Sequence, residues 1–218
     1  MIPSKMFCLG LLALAFTGCL GSKKPVHVAP KPAATVSAAP PSDSGAIKIL
    51  DSKGAVTATL RIGALEVKLG GGATERVYHS NIDKNGRRTF SYSKVGESAR
   101  YEVKSDADGF KLWGPSKLLW KVKYKDDKIK VSDNEANQRP ISLKRKLDRI
   151  EVLDDTTPLG EVRFEAGTSK VGVYNPKGEL VGSAQPAGLS AAYGLLLSTR
   201  IQEDERALLL LEILTHGF

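Results

Sequence analysis

The C-terminal segment EDERALLLLEILTHGF (203–218) constrains what this chain can fold into more than any other feature. Acidic residues at 203–205 stand where a helix N-terminus favours negative charge, and His216 with Gly217 suits its end. Between these ends apolar residues cover the whole circumference, and only Glu212 interrupts them. Such a helix is either buried or in a membrane. About 14 residues at about 1.5 Å each fall short of roughly 30 Å of hydrocarbon, so we expect a buried helix at about 203–216.

The chain from Ala46 onward offers β-hairpins to surround that helix. Short runs of Val, Ile, Leu, Tyr and Phe alternate with turns of Asp or Asn followed by Gly, residues that tolerate positive φ. About a dozen strands are expected before residue 202, and GLLLSTRIQ (194–202) also has the composition of a strand. The clearest hairpins are KILDSKGAV (48–56), VYHSNIDKNGRRTF (77–90), YEVKSDADGFKL (101–112), EVLDDTTPLGEV (151–162) and VYNPKGELV (173–181). We predict one mainly β domain at 46–218, an antiparallel hairpin-rich barrel or a sandwich.

This combination resembles the tubby-like superfamily, which includes phospholipid scramblases and LURP-one-related proteins. The resemblance rests on hairpins such as VYNPKGELVG and on the ending STRIQEDERALLLLEIL. It implies a closed antiparallel barrel around a hydrophobic C-terminal helix. Members of that superfamily bind or move membrane lipids, so the resemblance also implies a function at a membrane.

The first 45 residues do not belong to the domain. Lys5 and the apolar run 6–16 are typical of a secretory signal, which we place at 1–18. LAFTGC (14–19) resembles the lipobox of bacterial lipoproteins, with cleavage after Gly18 and Cys19 as the modified residue. Cys8 leaves with the signal, so Cys19 is the only cysteine of the mature chain and no disulfide is expected. The alternative is an ordinary signal peptide whose cleavage site carries a cysteine.

The lipobox resemblance implies a diacylglyceryl thioether on Cys19 and acylation of its amino group, such as by palmitate. Two or three acyl chains make a stable anchor where one is marginal. Leu20 stands where an aspartate would indicate inner-membrane retention, so the family's sorting rule indicates the outer membrane of the cell envelope, facing the periplasm. The Pro/Ala-rich stretch 19–45 predicts a disordered tether that reaches up to about 80 Å.

The segment 111–147 carries eleven Lys and Arg against four Asp and Glu. If Asp126 and Asp127 form a two-residue turn, LLWKVKYKDDKIKVSD places Tyr124 opposite Ile129 on one face. Lys125 then lies opposite Lys128 on the other face, and Lys123 opposite Lys130. The candidate residues for binding an anion are Lys121, Lys123, Lys125, Lys128, Lys130, Lys144, Arg145 and Lys146.

Two explanations of these lysines compete. They could solvate the sheet and protect an edge hairpin from aggregation. They could instead bind an anionic partner such as lipid headgroups or envelope polysaccharide. A protein–protein adaptor or structural lipoprotein with an acidic partner is the alternative function. Nucleic acid is not expected as a partner of an exported lipoprotein, and Trp120 and Tyr124 are expected to pack rather than stack on a ligand.

Catalytic and metal-binding chemistry is not expected. His79 and Ser80 are adjacent in a strand and point to opposite faces, so they do not form a nucleophile–base pair. NIDKNG (81–86) resembles half of a calcium loop, but its twelfth position is Tyr92 instead of glutamate, which favours a plain hairpin turn. GGGATER (70–76) lacks the Gly-Lys-Ser/Thr end of a phosphate loop. We therefore expect a non-enzymatic protein with no metal and no cofactor.

Overall fold

A computed structural model describes residues 45–217, apart from Gly86 and Val95. Within these residues there are fourteen strands, two short 3₁₀ helices and one α-helix. The strands are β1 (Ile47–Asp51), β2 (Val56–Arg61), β3 (Glu66–Leu69), β4 (Arg76–Ile82), β5 (Arg88–Lys94), β6 (Glu97–Asp106), β7 (Gly109–Trp113), β8 (Leu118–Lys125), β9 (Lys128–Ser132), β10 (Ile141–Arg145), β11 (Arg149–Asp154), β12 (Thr157–Glu165), β13 (Lys170–Tyr174) and β14 (Leu180–Gln185). The 3₁₀ helices are Gly72–Thr74 and Ala191–Leu197, and α1 is Glu203–Thr215.

The strands form a closed antiparallel barrel in which each strand pairs with its neighbours in the chain and β1 pairs with β14. Lys48 lies opposite Gln185 and Asp51 opposite Gly182 in the closing pair. The prediction of a mainly β domain is confirmed, and of the two expected architectures the structure is the barrel. Fourteen strands are slightly more than the dozen expected from the sequence.

Alternation along the strands builds the core. In β8 and β9 the side chains of Trp120, Val122, Ile129 and Val131 are buried, while those between them are exposed or half-buried. Because consecutive strand residues point to opposite faces, one set fills the barrel and the other covers it. The five quoted hairpins are β1–β2, β4–β5, β6–β7, β11–β12 and β13–β14, so their turn signals were read correctly.

The helix α1 lies in this core, as the sequence predicts. Seven of its residues, from Ala207 to Ile213, are buried, including Glu212. Its N-terminal residues Asp204 and Glu205 contact β4 and β8, and its C-cap His216 stacks on Phe110 of β7. Of the described residues, no helix has the length and apolar character needed to cross a membrane.

The segment 194–202 is not a strand, contrary to the sequence prediction. Residues Ala191–Leu197 form a 3₁₀ helix, and Ser190 caps it by accepting a hydrogen bond from the Ala192 amide at 3.2 Å. This helix packs inside the barrel against β10 to β14. It therefore fills the half of the interior that α1 leaves open.

Candidate functional site: a lysine-covered face of the barrel

The predicted turn at Asp126 and Asp127 is present and sets the register of β8 and β9. Lys125 lies opposite Lys128, and Lys123 opposite Lys130. On the other side of the sheet Tyr124 lies opposite Ile129. The two-residue turn therefore places lysines, and not apolar residues, on the outer surface of the barrel.

The aromatic residues beside these lysines belong to the core. Trp120 is buried, and its indole N–H donates a hydrogen bond to Glu205 of α1 at 2.6 Å. Tyr124 packs against the rings of both Phe110 and His216, and burial raises the pKa of its hydroxyl above the ordinary value. Both side chains pack in the core, as the sequence predicts.

Strand β10 extends the lysine surface. Lys144 lies opposite Lys128, so that Lys128 has a lysine neighbour on each side. Within β8, β9 and β10 three pairs of lysines thus stand directly opposite one another: Lys123–Lys130, Lys125–Lys128 and Lys128–Lys144. Like charges at such a spacing destabilise a sheet by up to about 1 kcal/mol per pair. We call the outer surface formed by Lys121, Lys123, Lys125, Lys128, Lys130, Lys144 and Lys146 the basic face. The eighth predicted residue, Arg145, is not on it: Arg145 lies opposite the buried Ile150, on the side of the strand that carries Leu143, at the end of the barrel.

Carboxylates neutralise only the margins of the basic face. Lys121 lies 3.5 Å from Glu135, which it shares with Lys111 at 2.8 Å. The hydrogen bond from Lys111 holds the pKa of Glu135 below its usual value. Lys146 lies 3.4 Å from Glu151. The other five lysines of the basic face form no ion pair with any residue of the described chain: Lys123, Lys125, Lys128, Lys130 and Lys144.

Edge protection does not explain this arrangement. The sequence alone is compatible with an exposed edge hairpin that these lysines protect from aggregation. In the closed barrel, however, β8 pairs with β7 and β9 pairs with β10. A closed barrel has no edge to protect. Of the first explanation only solvation of the sheet remains. The second explanation, binding of an anionic partner, is unaffected.

A fully exposed leucine beside the basic face was missed in the sequence. Leu147 is at the tip of the β10–β11 turn and is 104 % exposed, the highest value among the exposed large apolar residues described. Lys146 precedes it, and Asp148 and Arg149 follow. The sequence KRKLDR contained the signal, an apolar residue alone within a charged turn.

The remaining candidate residues have structural partners. His79 Nδ1 lies 3.2 Å from a carboxylate oxygen of Glu66, and Ser80 pairs with Phe90. Asp83 Oδ1 accepts the amides of Asn85 at 2.8 Å and Arg87 at 3.0 Å, the geometry of a hairpin turn. Among the described residues no three His, Cys, Asp or Glu side chains are grouped as a metal site requires.

Two predicted residues, Gly18 and Cys19, lie outside the residues that the structure describes. The chain enters the barrel just before β1, whose first residue is Ile47. Comparison of the sequence with protein-family models gave no match. Comparisons with curated proteins and with solved structures gave no match either.

Proposed function

We propose that this protein is a lipid-anchored envelope protein whose barrel binds anionic lipid headgroups through the basic face. The observation that carries the proposal is the set of three directly opposed lysine pairs with no carboxylate between them. Each pair is unfavourable in water, and a layer of phosphates would convert that repulsion into attraction. A basic residue near an anionic membrane surface contributes about 1 kcal/mol of binding.

The exposed Leu147 favours lipid over a polysaccharide as the anion. Burying a leucine side chain in an apolar phase contributes about 1.5–3 kcal/mol, and only a bilayer offers such a phase beneath its charged groups. Lys144, Arg145 and Arg149 surround this leucine in the sequence and could meet the headgroups while it enters the acyl region.

The strand topology supports an orientation in which the β10–β11 turn, with Leu147 at its tip, faces the membrane. Strands run alternately in opposite directions around the barrel. The start of β1 and the β10–β11 turn are therefore at the same end, where the tether joins the domain. If Cys19 carries acyl chains, a tether of about 25 residues at about 3.1 Å each leaves this end free to reach the bilayer.

Flotation of residues 44–218 with lipid vesicles tests the lipid proposal. All strand pairs of the barrel and all residues of the hydrophobic core lie within residues 45–217, so we expect this region to fold as an independent domain. We expect flotation with vesicles that contain phosphatidylglycerol and none with phosphatidylcholine alone. The variant with Lys123, Lys125, Lys128 and Lys130 all changed to Glu should bind at least about tenfold more weakly, since 1.4 kcal/mol is a factor of ten.

A second set of four reversals provides the matched control. Lys48, Lys53, Lys84 and Lys177 are exposed and scattered around the barrel, and changing them to Glu alters the net charge by the same amount. Retained flotation of this control locates the binding at the basic face. Equal loss in both variants would indicate a general charge effect and contradict the site.

Leu147→Ser separates insertion from simple charge attraction. We expect weaker flotation of this variant, and unchanged flotation of Val56→Ser, which alters an exposed apolar residue at the opposite end of the barrel. A domain that floats with neither vesicle overturns lipid binding. The protein–protein adaptor with an acidic partner would then be the better proposal.

A further inference from the structure

A cavity of about 310 Å³ lies between α1, the 3₁₀ helix Ala191–Leu197 and strands β1, β2, β3 and β14. Its inner wall is apolar and consists of buried side chains that include Ala58, Leu69 and Leu210. Its rim carries Val181, which is 37 % exposed, and the exposed Glu203. The cavity therefore has an apolar base and reaches the protein surface at the N-terminal end of α1. Its volume is at the lower limit of small-molecule sites.

Arg206 contributes a cation to this wall, and one of its N–H donors has no hydrogen-bond partner. Its Nη2 donates hydrogen bonds to the carbonyl oxygens of Ser198 at 2.9 Å and Ile201 at 2.8 Å. Its Nε is buried and has no hydrogen-bond partner. No carboxylate of the described residues lies within 4.0 Å of its guanidinium. Taking this charge partly out of water without an ion-pair partner is unfavourable. Burial lowers the pKa of Arg206 from its ordinary value and outweighs the attraction of Glu203, which raises it.

The two acidic residues on the rim, Asp51 and Glu203, already interact with other groups of the chain. Glu203 lies 3.2 Å from the guanidinium of Arg76. Asp51 accepts the backbone amides of Lys53 at 2.8 Å and Ala55 at 2.9 Å. Of the charged groups that line the cavity, Arg206 is the one cation, and no carboxylate of the described residues forms an ion pair with it within 4.0 Å.

We propose that this cavity binds a small amphiphile with one carboxylate head and an unbranched apolar tail. The head pairs with Arg206, and the tail occupies the apolar base beside Leu69 and Leu210. At about 30 Å³ per non-hydrogen atom, the share of volume that a water molecule takes in the liquid, 310 Å³ holds about ten such atoms. Octanoate, with eight carbons and two oxygens, has that size. The site is separate from the basic face and does not depend on the proposed function.

Three compounds with the same tail test this proposal on the unaltered domain. Octanoate, octan-1-ol and octyltrimethylammonium share eight carbons but carry a negative, a neutral and a positive head. In isothermal titration calorimetry we expect octanoate to bind at least tenfold more tightly than either of the others. Equal binding of octanol would overturn the role of Arg206, and no heat with octanoate would overturn the site. This comparison needs no variant, so it holds even if a substitution prevents folding.

Three substitutions locate the ligand within the cavity. Arg206→Gln removes the charge but keeps an N–H donor for the carbonyls of Ser198 and Ile201, and should weaken octanoate at least tenfold while leaving octanol unchanged. Arg206→Lys keeps the charge and should retain most of the affinity. Ala58→Leu fills the base of the cavity and should abolish octanoate binding in a domain that still melts cooperatively. Unchanged affinity in both Arg206→Gln and Ala58→Leu would contradict the assignment.

Discussion

At the scale of single residues, the most informative side chain is Glu212. It is 1 % exposed in the middle of the leucine run of α1, and its Oε2 lies 2.5 Å from Nη1 of Arg88 on β5. His216 lies 3.5 Å from its other oxygen. In the sequence Glu212 was only an interruption of an apolar surface, because its partner is 124 residues away. The acidic residues at 203–205 also gain partners on the strands: Asp204 binds Arg76 at 2.6 Å, and Glu205 binds Trp120 at 2.6 Å.

Removing one partner of this buried pair should cost more than removing both. Glu212→Leu leaves the Arg88 guanidinium beside an apolar helix and should lower the free energy of unfolding by about 3 kcal/mol. The double variant Arg88→Met with Glu212→Leu should recover most of that loss, because apolar groups replace both charges. Urea denaturation of the wild type, both single variants and the double variant measures the coupling. Additive losses would show that the pair is not energetically coupled.

At the scale of elements, the hairpins could be predicted from the sequence. The 3₁₀ helix Ala191–Leu197, which packs inside the barrel, could not. A run such as GLLL fits a buried strand and a buried helical turn equally well, because neither leaves a polar face. The contact that decides between them is tertiary. A Cβ at Gly194 would lie 2.7 Å from a methyl of Val152 and 2.9 Å from one of Leu143. This glycine lets the 3₁₀ helix pack against β10 and β11, and no local pattern in the sequence indicates that proximity.

The helix α1 should not tolerate a charge on its buried side. Leu210 is 1 % exposed, so Leu210→Asp buries a carboxylate without a partner and should prevent cooperative folding. Leu147→Asp makes the same chemical change at a fully exposed position and should leave thermal stability within about 0.5 kcal/mol of the wild type. Circular dichroism melting of the two variants checks this. An unchanged melting temperature in Leu210→Asp would mean that α1 is not needed by the core.

At the scale of the whole molecule, the sequence could not distinguish a barrel from a sandwich because the difference is one strand pair. Closure depends on β1 pairing with β14, in which Ile49 lies opposite Ala184. The hairpin signals that predicted individual pairs, such as β4–β5 and β8–β9, are local and say nothing about residues so far apart. The basic face was readable, since it depends on a two-residue turn and alternation alone. The Arg206 cavity was not, because strands from both ends of the domain (β1, β2, β3 and β14) form it together with the 3₁₀ helix Ala191–Leu197 and α1.

The proposed attachment of the whole molecule to a membrane would depend on Cys19, and the two cysteines of the sequence allow a matched test. Cys19→Ser removes the thiol that would carry the acyl chains and should release the protein from washed membranes after cell fractionation. Cys8→Ser makes the same change within the apolar run of the predicted signal and should leave membrane retention intact. High salt in the wash removes attraction through the basic face, since about 1 M salt shortens the screening length to about 3 Å. Retention of Cys19→Ser under that wash would contradict acylation and would assign membrane binding to another part of the chain.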